Sequence, residues 1–205
     1  MGKITTKDKI VESARLLFMK QGMEGVRMQM VADEAGVNKG LLHYYYKSKE
    51  KLFVAVFNKV VNELLKSVKG VFDNPNDTLE EKIDVAVDAY FQFLSRNPRL
   101  PVFFIFEINR DSDLLKRLGF GDKLKGLLGS ASNALPDSKE PNFVFHFILT
   151  LVSLSIFPFM VKPLLLEMFG NEEKSDAFIE DRKSIIKGIL NNMAGMTIEK
   201  KIIDT

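Results

Sequence analysis

The sequence predicts an all-α protein, and three observations carry the prediction. Apolar residues recur at helical spacing along most of the 205 residues. No alternating strand pattern persists anywhere, and no repeat or low-complexity tract interrupts the chain. Hydroxyl, Asn and Asp side chains stand where helices should begin, and Gly or Pro where they should stop. Hydrophobic residues make up 46% of the chain, enough for a sizeable core.

Ile10, Val11, Ala14, Leu17 and Phe18 share one side of a first helix, with Thr6 or Asp8 as its cap and Gly22 at its end. A short second helix covers about residues 28–35, with Val31, Ala32 and Ala35 apolar, and Gly36 breaks it. Asn38 is a good cap for a third helix reaching about Tyr46. Ser48 caps a fourth, which carries Leu52, Val56, Val60 and Leu64 on one side. The clearest breaker is "DNPND" at 73–77, and a domain boundary is expected near it. Residues 78–95 read as a helix stopped near Asn97-Pro98, and "LPVFFIFEI" as a short apolar helix. Residues 111–134 read as one helix weakened by Gly119, Gly121, Gly126 and Gly129, followed by the loop "LPDSKEPN". Two long helices close the pattern, over 142–169 and 172–193, with Pro158 and Pro163 bending the first. The tail "TIEKKIIDT" is left unassigned.

Composition excludes several functions. The chain has no cysteine, so it has neither thiolate metal ligands nor a Cys nucleophile. Its two histidines, His43 and His146, lie far apart, against a zinc site or a catalytic dyad. There is no Gly-rich phosphate loop. The expectation is a protein that is not an enzyme and uses no metal or cofactor. The opening "MGKITTKDKIVESA" lacks a leader's apolar stretch, which predicts a cytoplasmic protein. Residues 143–161 are free of formal charge when His146 is neutral, near the length of a membrane span. His146, Thr150, Ser153, Ser155 and Pro158 within that stretch favour burial, between helices or across an oligomer interface. A single-span membrane protein is the rival reading, and no membrane partner is the expectation.

Charge is unevenly placed. Net charge is +2, but residues 1–52 hold ten Lys/Arg against six Asp/Glu, so the remainder is acidic. A basic head suggests an anionic partner. In "GVNKGLLHYYYKSKEKL", helical geometry puts Leu42, Tyr45 and Tyr46 on one stripe and Gly40, His43 and Tyr44 on the opposite one. The first stripe can pack inward; the second is expected to be exposed. Two short helices joined by a tight turn read as a helix-turn-helix whose second helix enters a DNA major groove. Lys39, Gly40, Leu41, His43 and Tyr44 would then face DNA, with hydroxyls and lysines suited to phosphate oxygens. The start of the fourth helix, at Ser48-Lys49, offers free N–H groups to a further phosphate.

The run "KIVESARLLFMKQGMEGVRMQMVADEAGVNKGLLHYYYKSKEKLF" resembles the amino-terminal domain of TetR/AcrR-family transcriptional regulators. Ala14, Phe18, Gly22, Val31-Ala32, Ala35-Gly36-Val37, Lys39-Gly40, Leu42, Tyr45, Tyr46, Ser48-Lys49-Glu50 and Leu52 carry the likeness, over roughly the first quarter of the chain. The resemblance implies a homodimeric repressor that binds a palindromic double-stranded DNA operator and is released by a small-molecule effector. It implies a three-helix DNA-binding domain over 1–52, with the first part of a linking fourth helix. A helical effector-binding and dimerisation domain would cover 53–205, its last two helices forming a four-helix bundle with their mates. By position, DNA contacts fall on Arg27, Asn38, Lys39, Gly40, Leu41, His43, Tyr44, Tyr45 and Lys49. The chain departs from the family at Val26-Arg27, where a Thr or Ser is usual, and at His43, where a Tyr often stands.

No family motif marks the effector site. Abundant phenylalanine suggests an apolar or aromatic effector. Candidate contacts are Phe91, Phe103, Phe106 and Phe147, with Glu107, Asn109 and His146 as polar groups. Plain core packing is the competing expectation for these phenylalanines, and a buried, hydrogen-bonded role for His146.

Overall fold

The computed structural model describes residues 5–68, 71, 74, 76–111, 113–135 and 142–203, and among them every regular element is helical. Asp73 and Pro75 of the expected break, and 136–141 of the expected loop, lie outside the described residues. The chain divides into two compact packing units, one formed by Met1–Glu63 and Val102–Phe120, the other by Leu64–Pro101 and Gly121–Thr205.

In the first unit, α1 (Thr6–Gly25) begins at a capping box. Thr5 Oγ1 accepts the Asp8 N–H at 3.1 Å, and the Asp8 carboxylate accepts the Thr5 N–H at 3.1 Å. The cap is therefore Thr5 and neither of the expected Thr6 and Asp8, because the box needs an acid three residues on and Asp8 supplies it. α1 kinks at Gly22, whose φ of 70° and ψ of 170° favour glycine. Its last turn, Met23–Gly25, is thus set off from the helix body. α2 (Met28–Glu34) and α3 (Lys39–Tyr45) follow, and then α4 (Lys49–Val68), where Ser48 Oγ accepts the Lys51 N–H at 3.2 Å. The expected stripe of α4 holds at Leu52, Val56 and Val60, which are buried, while Leu64 is half-buried. The unit's core is more aromatic than that stripe suggests. Phe53 meets Phe18 edge-on at 5.3 Å, and both Phe53 and Phe57 contact Phe103 of α6 (Leu100–Arg110).

In the second unit, α5 (Leu79–Arg96) starts at another capping box, Thr78 with Glu81. It ends at Asn97, whose side-chain amide donates back to the Phe93 carbonyl at 2.9 Å. The expected single helix over 111–134 is two, α7 (Leu114–Arg117) and α8 (Phe120–Ala134), divided at Leu118-Gly119. Likewise 142–169 is divided into α9 (Phe143–Met160) and α10 (Lys162–Phe169). The break falls at Val161, and Pro163 lies in the first turn of α10, where its missing N–H costs nothing. Pro158 stays within α9. The final helix, α11 (Glu172–Ile203), runs through most of the unassigned tail.

α5, α9, α10 and α11 form this unit's core. Val87 and Phe91 of α5, Phe147 and Phe159 of α9, and Ile186 and Leu190 of α11 are buried. Phe91 meets Phe159 edge-on at 5.9 Å. Lys187 Nζ lies 2.9 Å from Asp88 and 3.6 Å from Asp84, joining α11 to α5 along their polar edges. α9 is long and apolar enough to cross a membrane, with a mean hydropathy of 2.1, and only 22% of it is buried within the chain. Phe145, Leu149 and Phe157 stand exposed on it. Burial of this stretch between the chain's own helices, one of the two expected outcomes, is therefore only partial.

Candidate nucleic-acid interface

The turn between α2 and α3 is fixed by backbone hydrogen bonds. Val37 N–H donates to the Ala32 carbonyl at 3.0 Å and Gly36 N–H to that of Asp33 at 3.2 Å. This is the Schellman arrangement, which needs a left-handed residue after the helix. Gly36 takes that conformation with φ 65°. Asn38 then starts α3, its Oδ1 accepting the Leu41 N–H at 2.8 Å. A Cβ on Gly40 would lie 3.3 Å from that same Oδ1, so the glycine gives the cap room.

Leu42 and Tyr46 bury α3 against the first unit, while Tyr44 is 77% exposed. Tyr45 is 39% exposed and meets Tyr44 edge-on at 5.4 Å. Arg27, Asn38, Lys39, Gly40 and Lys47 are also exposed. A helix anchored by one apolar stripe thus presents lysine, glycine, amide and phenol groups on its free side. Residues 10–56 match the model of the family described as "Bacterial regulatory proteins, tetR family". Those residues form a TetR-family amino-terminal domain.

The chain's likeness to known transcriptional regulators extends beyond that segment. It is 26% identical over 164 residues to the "Probable HTH-type transcriptional regulator YttP" of Bacillus subtilis (strain 168), spanning 77% of this chain and 79% of that one. It is 30% identical over 105 residues to the "Biofilm operon icaADBC HTH-type negative transcriptional regulator IcaR" of Staphylococcus aureus (strain Newman), spanning 50% and 47% of the two chains. A solved structure of the regulator FadR from Bacillus subtilis, in complex with stearoyl-CoA, shares the fold with a TM-score of 0.64 at 17% identity. That match covers 87% of this chain and 96% of that one.

Not every TetR-type contact residue is equally presented. Leu41 and His43 are half-buried, because α3 lies closer to its neighbours than a free outer stripe would. Asn38 commits its carbonyl oxygen to the cap, which leaves its NH₂ as the group able to donate outward. Arg27 is exposed and makes no side-chain cap for α2, so the usual hydroxyl function at this position is absent. Lys49 has a neighbour that local sequence did not reveal. Its Nζ lies 3.8 Å from Glu24 Oε2 and 3.5 Å from the Glu24 carbonyl.

Tyr46 carries a further local cost. Its hydroxyl is buried without a hydrogen-bond partner, and burial pushes the phenol's pKa up. Replacing it with phenylalanine removes the unmatched group and keeps the ring. Tyr46→Phe is expected to stabilise the protein by about 1 kcal/mol in urea unfolding. A loss of similar size would mean that the hydroxyl has a partner in solution.

The seven residues expected to hold an effector are divided between the two units. Phe103 and Glu107 lie in the first unit, where the structure gives both side chains other partners. Phe103 packs on Phe53 and Phe57, and Glu107 is fully buried in hydrogen bonds to Met23 and Arg110. Phe106 is exposed on α6, and the Asn109 amide turns back to the Ile105 carbonyl. In the second unit, Phe91 and Phe147 are core residues. His146 is exposed rather than buried, because α9 turns Phe147 inward and leaves its neighbour outside.

Proposed function

We propose that this protein is a dimeric, sequence-specific, cytoplasmic repressor released from a palindromic operator by a small apolar or aromatic effector. DNA binding is assigned to residues 1–52, through Arg27, Asn38, Lys39, Gly40, Leu41, His43, Tyr44, Tyr45 and Lys49. Effector binding and dimerisation are assigned to 53–205. The observation that carries the reading is α3 itself: Leu42 and Tyr46 anchor it, while Lys39, Gly40, Tyr44 and Tyr45 face outward at the end of a rigid turn. A second copy is supported by the exposed apolar side chains of α9 and α11, among them Leu149, Phe157, Ile185 and Ile189. Closed two-fold pairing would present two copies of α3 to half-sites about 34–36 Å apart. Repression is supported by the likeness to the negative regulator IcaR, and an apolar effector by the likeness to FadR with its stearoyl-CoA.

Lys49 provides a quantitative test. Each phosphate contact contributes about one unit to the dependence of log affinity on log salt. Lys49→Ala is expected to weaken binding to all duplexes alike and to reduce that slope by about one. An unchanged slope in an anisotropy titration would remove Lys49 from the interface. Release is tested by titrating stearoyl-CoA and a free long-chain fatty acid into the protein–DNA complex. Loss of DNA affinity by at least roughly tenfold, a coupling of ~1.4 kcal/mol, is expected from one of them. Binding of either ligand with DNA affinity unchanged would contradict release by that class.

A further inference from the structure

Glu107 is the one fully buried carboxylate among the described residues, and it lies 84 positions along the chain from the backbone it holds. Its Oε1 accepts the Met23 N–H at 3.0 Å, just after the kink at Gly22. Its Oε2 accepts Arg110 Nε and Nη2, each at 2.9 Å. The guanidinium, fixed by that two-point contact, also reaches the Met23 sulfur at 3.3 Å and places Nη1 2.9 Å from Glu24 Oε1. The other oxygen of Glu24 faces Lys49 at 3.8 Å. One surface carboxylate is thus divided between Arg110 and the lysine assigned to phosphate.

A carboxylate beside a phosphate-binding ammonium opposes DNA in two ways. It competes for the ammonium, and it repels the incoming phosphate. Arg110 counters both, because its rigid fork holds Glu24 and neutralises it. We propose that Glu24 gates Lys49 and that Arg110, positioned by Glu107, sets how far the gate opens. This rests on the reading of Lys49 as a phosphate contact. Arg110 and Glu107 are positioning residues; neither needs to touch DNA.

The test is a double-substitution cycle, read as affinity for a fluorescein-labelled 30-base-pair duplex of mixed sequence over a salt series. Exposed ion pairs of this kind shift affinity roughly two- to fivefold. Arg110→Ala is expected to weaken binding by that factor, because Glu24 then turns wholly to Lys49. Glu24→Gln is expected to tighten binding by a similar factor. In the Glu24→Gln background, Arg110→Ala should have little further effect. Equal effects of Arg110→Ala in both backgrounds would overturn the gate, since simple loss of a positive charge acts without Glu24. Should Arg110→Ala fold poorly, Glu24→Gln alone decides: it must tighten binding when Lys49 is present and lose most of that effect in Lys49→Ala. Tightening of undiminished size without Lys49 would overturn the proposal, since direct repulsion of phosphate acts without the lysine. A wild-type protein with no salt-dependent binding would remove the DNA reading and the gate together. Wild-type binding with a Lys49-dependent slope but an additive cycle would remove the gate alone.

Discussion

Phe53→Ala is expected to destabilise the first unit by about 3–5 kcal/mol, the usual range for truncating a fully packed phenylalanine. Phe53 is buried at the centre of an aromatic cluster, with Phe18 at 5.3 Å and Phe57 and Phe103 each at 5.7 Å. These rings come from α1, α4 and α6, so no single neighbour can collapse into the space without disturbing two elements. Domain stabilities are about 5–15 kcal/mol, so the loss is a large share of the total. Urea unfolding followed by tyrosine fluorescence should show a midpoint shifted far toward lower urea. DNA binding should fall with it, because Leu42 and Tyr46 anchor α3 to what packs behind them. A loss below about 1 kcal/mol would mean that the cluster is loosely packed and that α6 is not part of this core.

Glu107→Ala should be the second large effect, at about 2–3 kcal/mol. The truncation strands the buried Met23 N–H, an unmade hydrogen bond of the costly kind, and leaves Arg110 without its main partner. Arg110 keeps partial access to water, which limits the penalty to less than that of a sealed ion pair. Glu107→Gln preserves an acceptor for Met23 and is expected to lose roughly half as much. Amide exchange at Met23 gives a local readout, and it should accelerate in the alanine variant more than in the glutamine one. Equal stability of all three proteins would show that the carboxylate plays no part in holding the end of α1.

These two residues also mark where reading from the sequence stopped. The cap at Asn38, the break at Gly36 and the burial of Leu42 were legible because each follows from contacts within four residues. The division of 142–169 was not, since Pro158 is tolerated inside α9 while the chain breaks at Val161. Phe53 and Phe57 fell outside the expected stripe of α4, because helical spacing alone gives one face and this helix is covered on more than one. Residue type alone points Glu107 and Phe103 toward an effector. Their actual partners, Met23 and Phe53, stand far away in sequence, and no local signal announces such a pairing. Glu24 and Arg110 carry no sequence signal for the same reason: an exposed charge acquires a role only through its neighbour.

Selection of genomic fragments by the purified protein at physiological salt, followed by sequencing of those retained, tests the central claim most directly. The account predicts an enriched palindrome whose half-sites lie about one helical turn apart, roughly 10 base pairs. Retention that is general, falls steeply with salt and enriches no motif would contradict it, leaving a head that grips phosphates without reading sequence.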